Sequence, residues 1–130
     1  MDFKRGVLMK KKNIVIAVLL SLLVGCTTVN NSKAVVHKVS CDNMKDMIKQ
    51  DNSFLIDVRE TSEFDEGHLE GAINISSTRI DSITSYDNIK KDSIIIVYCK
   101  SGKRSKDSAD KLISLGYKKV YDLGSINNCK

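Results

Sequence analysis

Val97-Tyr98-Cys99-Lys100-Ser101-Gly102-Lys103-Arg104-Ser105 is the stretch on which the rest of the chain depends. An apolar β-branched run, Ile94-Ile95-Ile96-Val97, leads into it, and the run stops at a cysteine. Gly, Ser and cationic residues follow, then a helical pattern with Ala109, Leu112 and Ile113 on one face. A strand thus delivers a thiol into the start of a helix. Helix starts carry unpaired N–H groups and about half a positive charge. Thiols placed there, beside Lys or Arg, ionise more readily than free cysteine. Cys99 is the candidate nucleophile.

The 130-residue length predicts a single domain. Aromatic residues make up 5% of the chain, so Val, Ile and Leu must fill the core. The net charge of +5 is concentrated at one end. Residues 1–25 hold Lys4, Arg5, Lys10, Lys11 and Lys12 against Asp2, which leaves sixteen basic and fifteen acidic residues for the remainder. A near-neutral domain gives no reason to expect a nucleic-acid partner.

Lys10-Lys11-Lys12 precede an apolar segment, 14–24, which is the length of a signal-peptide core and short for a membrane span. Met9 is a natural start for such a signal, which would make residues 1–8 an upstream start assignment. Leu23-Val24-Gly25-Cys26, followed by Thr27-Thr28, resembles a bacterial lipobox. That resemblance implies cleavage before Cys26 and a diacylglyceryl group on its thiol, holding the protein on the outer face of a membrane. The alternative is an uncleaved anchor with an incidental cysteine. The expected organisation is a signal peptide over 1–25, a lipidated cysteine and polar tether over 26–34, and a folded domain over 35–130.

With Cys26 lipidated, Cys41, Cys99 and Cys129 remain, an odd number in a compartment where disulfides persist. At least one must stay free. These thiols, His37 and His68 show no metal-ligand spacing, so no metal and no organic cofactor is expected.

Along the domain, 35–39 reads as a short strand, and Ser40 caps a helix over 42–50 with Met44, Met47 and Ile48 facing inward. Cys41, in its first turn, is read as a packed small hydrophobe. Residues 54–58 form a buried strand ending near Asp57, followed by Arg59 and a short helix over 62–66. A Gly-rich loop around His68, a strand over 72–75 and a helix over 78–86 come next. The strand 94–98, a helix over 104–115 capped by Gly116, and a last strand over 118–123 complete the pattern. Alternating strands and helices predict an α/β fold with a mostly parallel central sheet flanked by helices. Reactive groups gather at the carboxyl ends of such strands, which puts Asp57, Arg59 and Cys99 on one rim.

Asp57-Val58-Arg59-Glu60, Glu63-Phe64, Gly67-His68-Leu69, Gly71-Ala72-Ile73-Asn74-Ile75, Tyr98 to Ser105, and Val120 to Gly124 resemble, in order and spacing, a single-domain rhodanese. The resemblance implies a three-layer rhodanese-like fold and a sulfurtransferase. Its cysteine, here Cys99, would carry a sulfane sulfur from a small donor such as thiosulfate to a thiophilic acceptor. It also implies that Lys100, Ser101, Gly102 and Lys103 form a substrate-binding cradle of backbone N–H groups, closed by Arg104. Related phosphatases and arsenate reductases place five residues between cysteine and arginine; here there are four, a smaller ring that suits one sulfur atom. Asp57 and Arg59 match the strand-end signature and are read as structural support. His68 is read as a hydrogen-bonding residue rather than an acid–base catalyst.

Two departures stand out. Ser125 replaces the second glycine of a family pair, and Cys129 stands where a tryptophan is expected. Cys129 is therefore expected as an unpaired thiol on a loosened C-terminus, with Cys41 or Cys99 as alternative partners. Three functions follow as expectations. The first is a membrane-tethered sulfurtransferase, monomeric. The second is a non-turnover persulfide carrier or partner-docking module. The third is a redox protein using Cys99 with Cys129.

Overall fold

The computed structural model describes residues 32–130. Residues 33–130 form one compact unit. The signal segment and Cys26 lie outside the described residues. Five strands form an entirely parallel sheet: β1 (His37–Lys38), β2 (Ser53–Asp57), β3 (Ala72–Asn74), β4 (Ile94–Cys99) and β5 (Lys119–Ser125), in the order β1-β5-β4-β2-β3. Three α-helices connect them: α1 (Cys41–Met47), α2 (Thr61–Asp65) and α3 (Lys103–Ser114). Among the described residues no helix is long and apolar enough to cross a membrane.

β4 occupies the centre because it is apolar on both faces, as a parallel strand covered on both sides must be. Its alternation sorts the core into two layers. Ile95, Val97 and Cys99 join Ala109, Leu112 and Val120 on one side. Ile96 and Tyr98 join Met44, Leu123 and Ile126 on the other. In α3, Ser105, Ser108 and Ala109 are small and buried, which lets the helix lie close to the sheet. Full burial of Leu112 from the same face contributes about 2–3 kcal/mol.

The helix expected over 78–86 is instead a 3₁₀ segment, Ser77–Ser85, broken at Arg79 (φ −123°). Its hydroxyls explain this. Thr84 Oγ1 donates to the Asp81 carbonyl at 3.0 Å and Ser85 Oγ to the Ser82 carbonyl at 2.7 Å, competing with α-helical bonding. Ile80 and Ile83 still point into the core. Helix α1 is shorter than expected, ending at Met47, although Ser40 caps it by accepting the Asn43 N–H at 3.3 Å.

The expectation for Cys129 is overturned. It is bonded to Cys41 across 88 residues of sequence, with Cα atoms 5.3 Å apart. The C-terminus does not fray, because β5 continues into a 3₁₀ turn, Ile126–Cys129, whose Ile126 is buried against Met44 of α1. This seats Cys129 beside the first residue of α1. Cys41 packs in that layer as half of a disulfide rather than as a free thiol. Cys99 belongs to the layer on the opposite face of the sheet and is free. The redox pairing of Cys99 with Cys129 is thereby removed.

Candidate active site

The connections place β2 and β4 side by side while the chain proceeds outward in opposite directions from them, to β3 and to β5. A crevice opens at the carboxyl ends of strands where the winding reverses in this way. Asp57 ends β2 there and Cys99 ends β4.

Cys99 is fully buried. Its Sγ accepts the Gly102 N–H at 3.0 Å and the Ser105 N–H at 3.4 Å. Gly102 caps α3 with φ +97°, a left-handed conformation that a Cβ would strain. The loop is also closed from within, as Ser105 Oγ donates to the Gly102 carbonyl at 3.0 Å. Sulfur therefore sits against converging backbone donors at the first turn of a 12-residue helix. Lys100, Ser101 and Lys103 are exposed around it. Neither lysine pairs with a carboxylate among the described residues.

Arg104 is committed elsewhere. Its Nη1 and Nη2 donate to the two Glu63 carboxylate oxygens at 2.6 and 3.0 Å. The same pairing raises the Arg104 pKa and lowers that of Glu63 to about 2, with Arg104 as the main cause. Glu63 also accepts the Glu60 N–H at 3.0 Å in the capping box that starts α2. It thus ties α2 to the exit of the cysteine loop. The resemblance includes Glu63 without giving it a role; the Glu60-x-x-Glu63 spacing is the sequence signal that marks it.

Asp57 and Arg59 form a buried pair below the rim. Asp57 accepts the Arg59 backbone N–H at 2.9 Å, Nε at 3.0 Å and Nη2 at 2.7 Å. These bonds raise the Arg59 pKa. Arg59 Nη2 reaches on to the Gly67 carbonyl at 2.7 Å and so fixes the Gly-rich loop. Tyr98 secures the same loop by accepting the Leu69 N–H at 3.0 Å through its hydroxyl. Burial raises the Tyr98 pKa, keeping it a neutral phenol. His68 donates from Nδ1 to the Phe64 carbonyl at 2.9 Å and stacks on the Phe64 ring at 3.7 Å. Between this loop and the C-terminal turn lies a cleft of about 530 Å³, bordered by Glu63, Leu69, Lys100, Ile126, Asn127 and Lys130. Its size suits a small molecule.

Residues 40–129 match the family model described as a rhodanese-like domain. The chain is similar to the thiosulfate sulfurtransferase GlpE of Tolumonas auensis, with 28% identity over 86 residues, 66% of this chain and 79% of that one. It is 27% identical to the GlpE of Coxiella burnetii over 78 residues, 60% of this chain and 71% of the relative. Among solved structures, an Escherichia coli rhodanese with anions aligns with TM-score 0.55 and 28% identity, covering 58% of this chain and 89% of that one. The human single-domain sulfurtransferase TSTD1 aligns with TM-score 0.62 over 70% of this chain and 92% of that one; at 23% identity this likeness concerns the fold.

Proposed function

The chain belongs to the rhodanese-like domain family, and from that premise we propose that Cys99 is its sulfur-carrying residue. The protein is a rhodanese-type sulfurtransferase. The observation that carries the assignment of Cys99 is the pair of N–H groups, from Gly102 and Ser105, aimed at its buried Sγ. The Cys99 thiolate attacks the outer sulfur of thiosulfate. A new S–S bond forms at Sγ, and the donor's S–S bond breaks with its electron pair on departing sulfite. A thiophilic acceptor then attacks the outer sulfur, and the Cys99 thiolate leaves. Every species in this sequence is anionic. Fixed N–H dipoles stabilise such charge without reorganising. Lys100 and Lys103 add a positive field that favours an anionic donor, while Ser101 and Gly102 contribute loop backbone and Arg104, bonded to Glu63, anchors the exit of the loop.

The test is the intact mass of the full chain after incubation with thiosulfate, beside Cys99→Ser. The expected result is a gain of one sulfur atom, removed by cyanide, in the wild type alone. No gain with thiosulfate, polysulfide or a low-molecular-weight persulfide would overturn turnover and leave a docking module.

The protein is further proposed to be held on the outer face of the cell membrane, as a monomer, through a lipid on Cys26. The basic residues before an apolar segment and the Leu23-Val24-Gly25-Cys26 run support this. The Cys41–Cys129 disulfide supports an oxidising compartment. Two or more acyl chains anchor stably where one binds marginally. Cys26→Ala should leave an uncleaved precursor that lacks the lipid mass; a processed and lipidated variant would overturn the assignment.

A further inference from the structure

The last residues of β5, Gly124 and Ser125, lie opposite Tyr98 and Cys99 of β4 and touch the cysteine loop directly. Ser125 Oγ donates to the Lys100 carbonyl at 2.5 Å, and the same oxygen accepts the Asn127 N–H at 3.1 Å to start the C-terminal 3₁₀ turn. Gly124 lies beneath the loop, since a Cβ on Gly102 would meet its Cα at 3.5 Å. Asn128 Nδ2 donates back to the Leu123 carbonyl at 2.9 Å, folding the turn against the strand end. That turn is four residues long with Ile126 as its one buried residue, and short terminal segments fray unless tied down. To the burial of Ile126 and these hydrogen bonds the bond from Cys129 to Cys41 adds a covalent tie.

A planar trans peptide carries this contact into the loop backbone just before Gly102, whose N–H bonds the Cys99 sulfur. When Ser125 holds the Lys100 carbonyl, the Ser101 N–H of the same peptide unit must point the opposite way, away from Ser125. The direction of one loop donor is therefore set from outside the loop. Both cysteines are partly buried and border a cleft of about 420 Å³, the side from which a dithiol would approach the bond.

We propose that the Cys41–Cys129 disulfide is a positioning clamp for the cysteine loop, acting through Ser125 on the Lys100 carbonyl, so that sulfur transfer slows when this disulfide is reduced. The proposal rests on the assignment of Cys99 as the sulfur carrier. Reduction takes two electrons and two protons from a dithiol, which leaves as its own disulfide, and frees the Cys41 and Cys129 thiols. The terminal turn then loses its tether, and the Lys100–Ser101 peptide loses its fixed orientation. Ser125 is a positioning residue, since its hydroxyl bonds the Lys100 carbonyl while the Cys99 sulfur is held by the Gly102 and Ser105 N–H groups.

The experiment compares thiosulfate-to-cyanide transfer by the full chain in detergent with that of Cys41→Ser/Cys129→Ser, Ser125→Ala, Ser125→Thr and a variant combining the first two changes. Thermal melts followed by circular dichroism identify any variant that has lost its fold. Ser125→Ala keeps the disulfide and tests the same contact if the cysteine variant does not fold. Loss of one hydrogen bond that matters only to loop geometry predicts a fall in kcat of about tenfold. The expected pattern is this fall in both the disulfide variant and Ser125→Ala, no further fall when they are combined, and recovery in Ser125→Thr. Unchanged kcat in folded variants lacking the disulfide overturns the clamp, and so do losses that multiply on combination. A wild-type chain that takes up no sulfur overturns the Cys99 assignment itself, a result that the intact mass separates from both.

Discussion

Removing the carboxylate that holds Arg104 has a cost that depends on pH in a calculable way. In Glu63→Gln the side chain keeps its shape and loses its charge. Arg104 and, secondarily, the Glu60 N–H hold the Glu63 carboxyl at about 2, down from 4.5. Such a shift corresponds to about 3 kcal/mol of differential stabilisation. Water reaches 32% of the Arg104 side chain and 26% of that of Glu63, and this screening trims the value to about 1–2 kcal/mol. The folded-state pKa is the lower one. The contribution is therefore complete above about 4.5, declines as the pH falls below it, and is gone near 2. Urea unfolding of the wild type and the variant, from neutral pH down to about 2.5, reads the difference directly; other carboxylates that titrate equally in both cancel. The expected gap at neutral pH is about 1–2 kcal/mol, shrinking steadily below about 4.5. No gap at neutral pH, or a gap that persists unchanged down to about pH 3, would refute the reasoning.

Three other outcomes follow from the same geometry. Gly102→Ala forces a Cβ onto a backbone at φ +97°, a strain of about 1–2 kcal/mol, and moves an N–H off the Cys99 sulfur; sulfur uptake followed by intact mass should fall about tenfold or more, and wild-type uptake would show that this N–H is idle. Asp57→Ala leaves the guanidinium of Arg59, a residue 8% exposed, with the Gly67 carbonyl as its remaining acceptor; chemical denaturation should show a loss of about 3–5 kcal/mol, and a loss below about 1 would mean that the pair contributes little. Cys41→Ser/Cys129→Ser opens a loop spanning 88 residues, for which the chain-entropy account gives a loss of about 4–5 kcal/mol, checked by the shift in denaturation midpoint against the oxidised wild type.

The fold was legible where one residue pattern allowed one arrangement. Ile94 to Val97 is apolar without alternation, which fits a strand covered on both faces, and it became the central β4. Gly102 before a helical pattern fitted a turn into α3, and the positive φ at that position gives the physical reason for the glycine. The 3₁₀ segment was not legible, because a periodicity such as that of Ile80 and Ile83 fixes a face and not the tightness of the coil, which the local hydroxyls decided. The partner of Arg104 was not legible for a different reason, and for Cys129 the sequence left Cys41 and Cys99 open without deciding between them. Glu63 is 41 residues before Arg104, and Cys41 is 88 before Cys129; both contacts exist because parallel crossovers bring those elements together. Substituting Cys for the expected aromatic residue read as a loss of anchoring at the C-terminus, whereas the covalent bond provides the anchor.

The pairing of Arg104 also bears on why this loop should handle sulfur rather than an oxyanion. Recognition of phosphate or arsenate is strongest when a guanidinium presents two parallel N–H donors to two oxygens. Here both terminal nitrogens of Arg104 already meet the oxygens of Glu63, and the pairing raises the pKa of Arg104, so the fork is occupied at every ordinary pH. What remains at Cys99 is a pair of backbone N–H groups at 3.0 and 3.4 Å, with the diffuse field of Lys100 and Lys103 outside. Such a cradle offers charge stabilisation without a bidentate template. It suits a single polarisable sulfur whose negative charge moves along the S–S axis during transfer, and it gives the oxygens of a phosphate or arsenate group under attack at its central atom no fixed set of partners. The short loop between Cys99 and Arg104 and the commitment of Arg104 to Glu63 therefore favour the same chemistry by independent means.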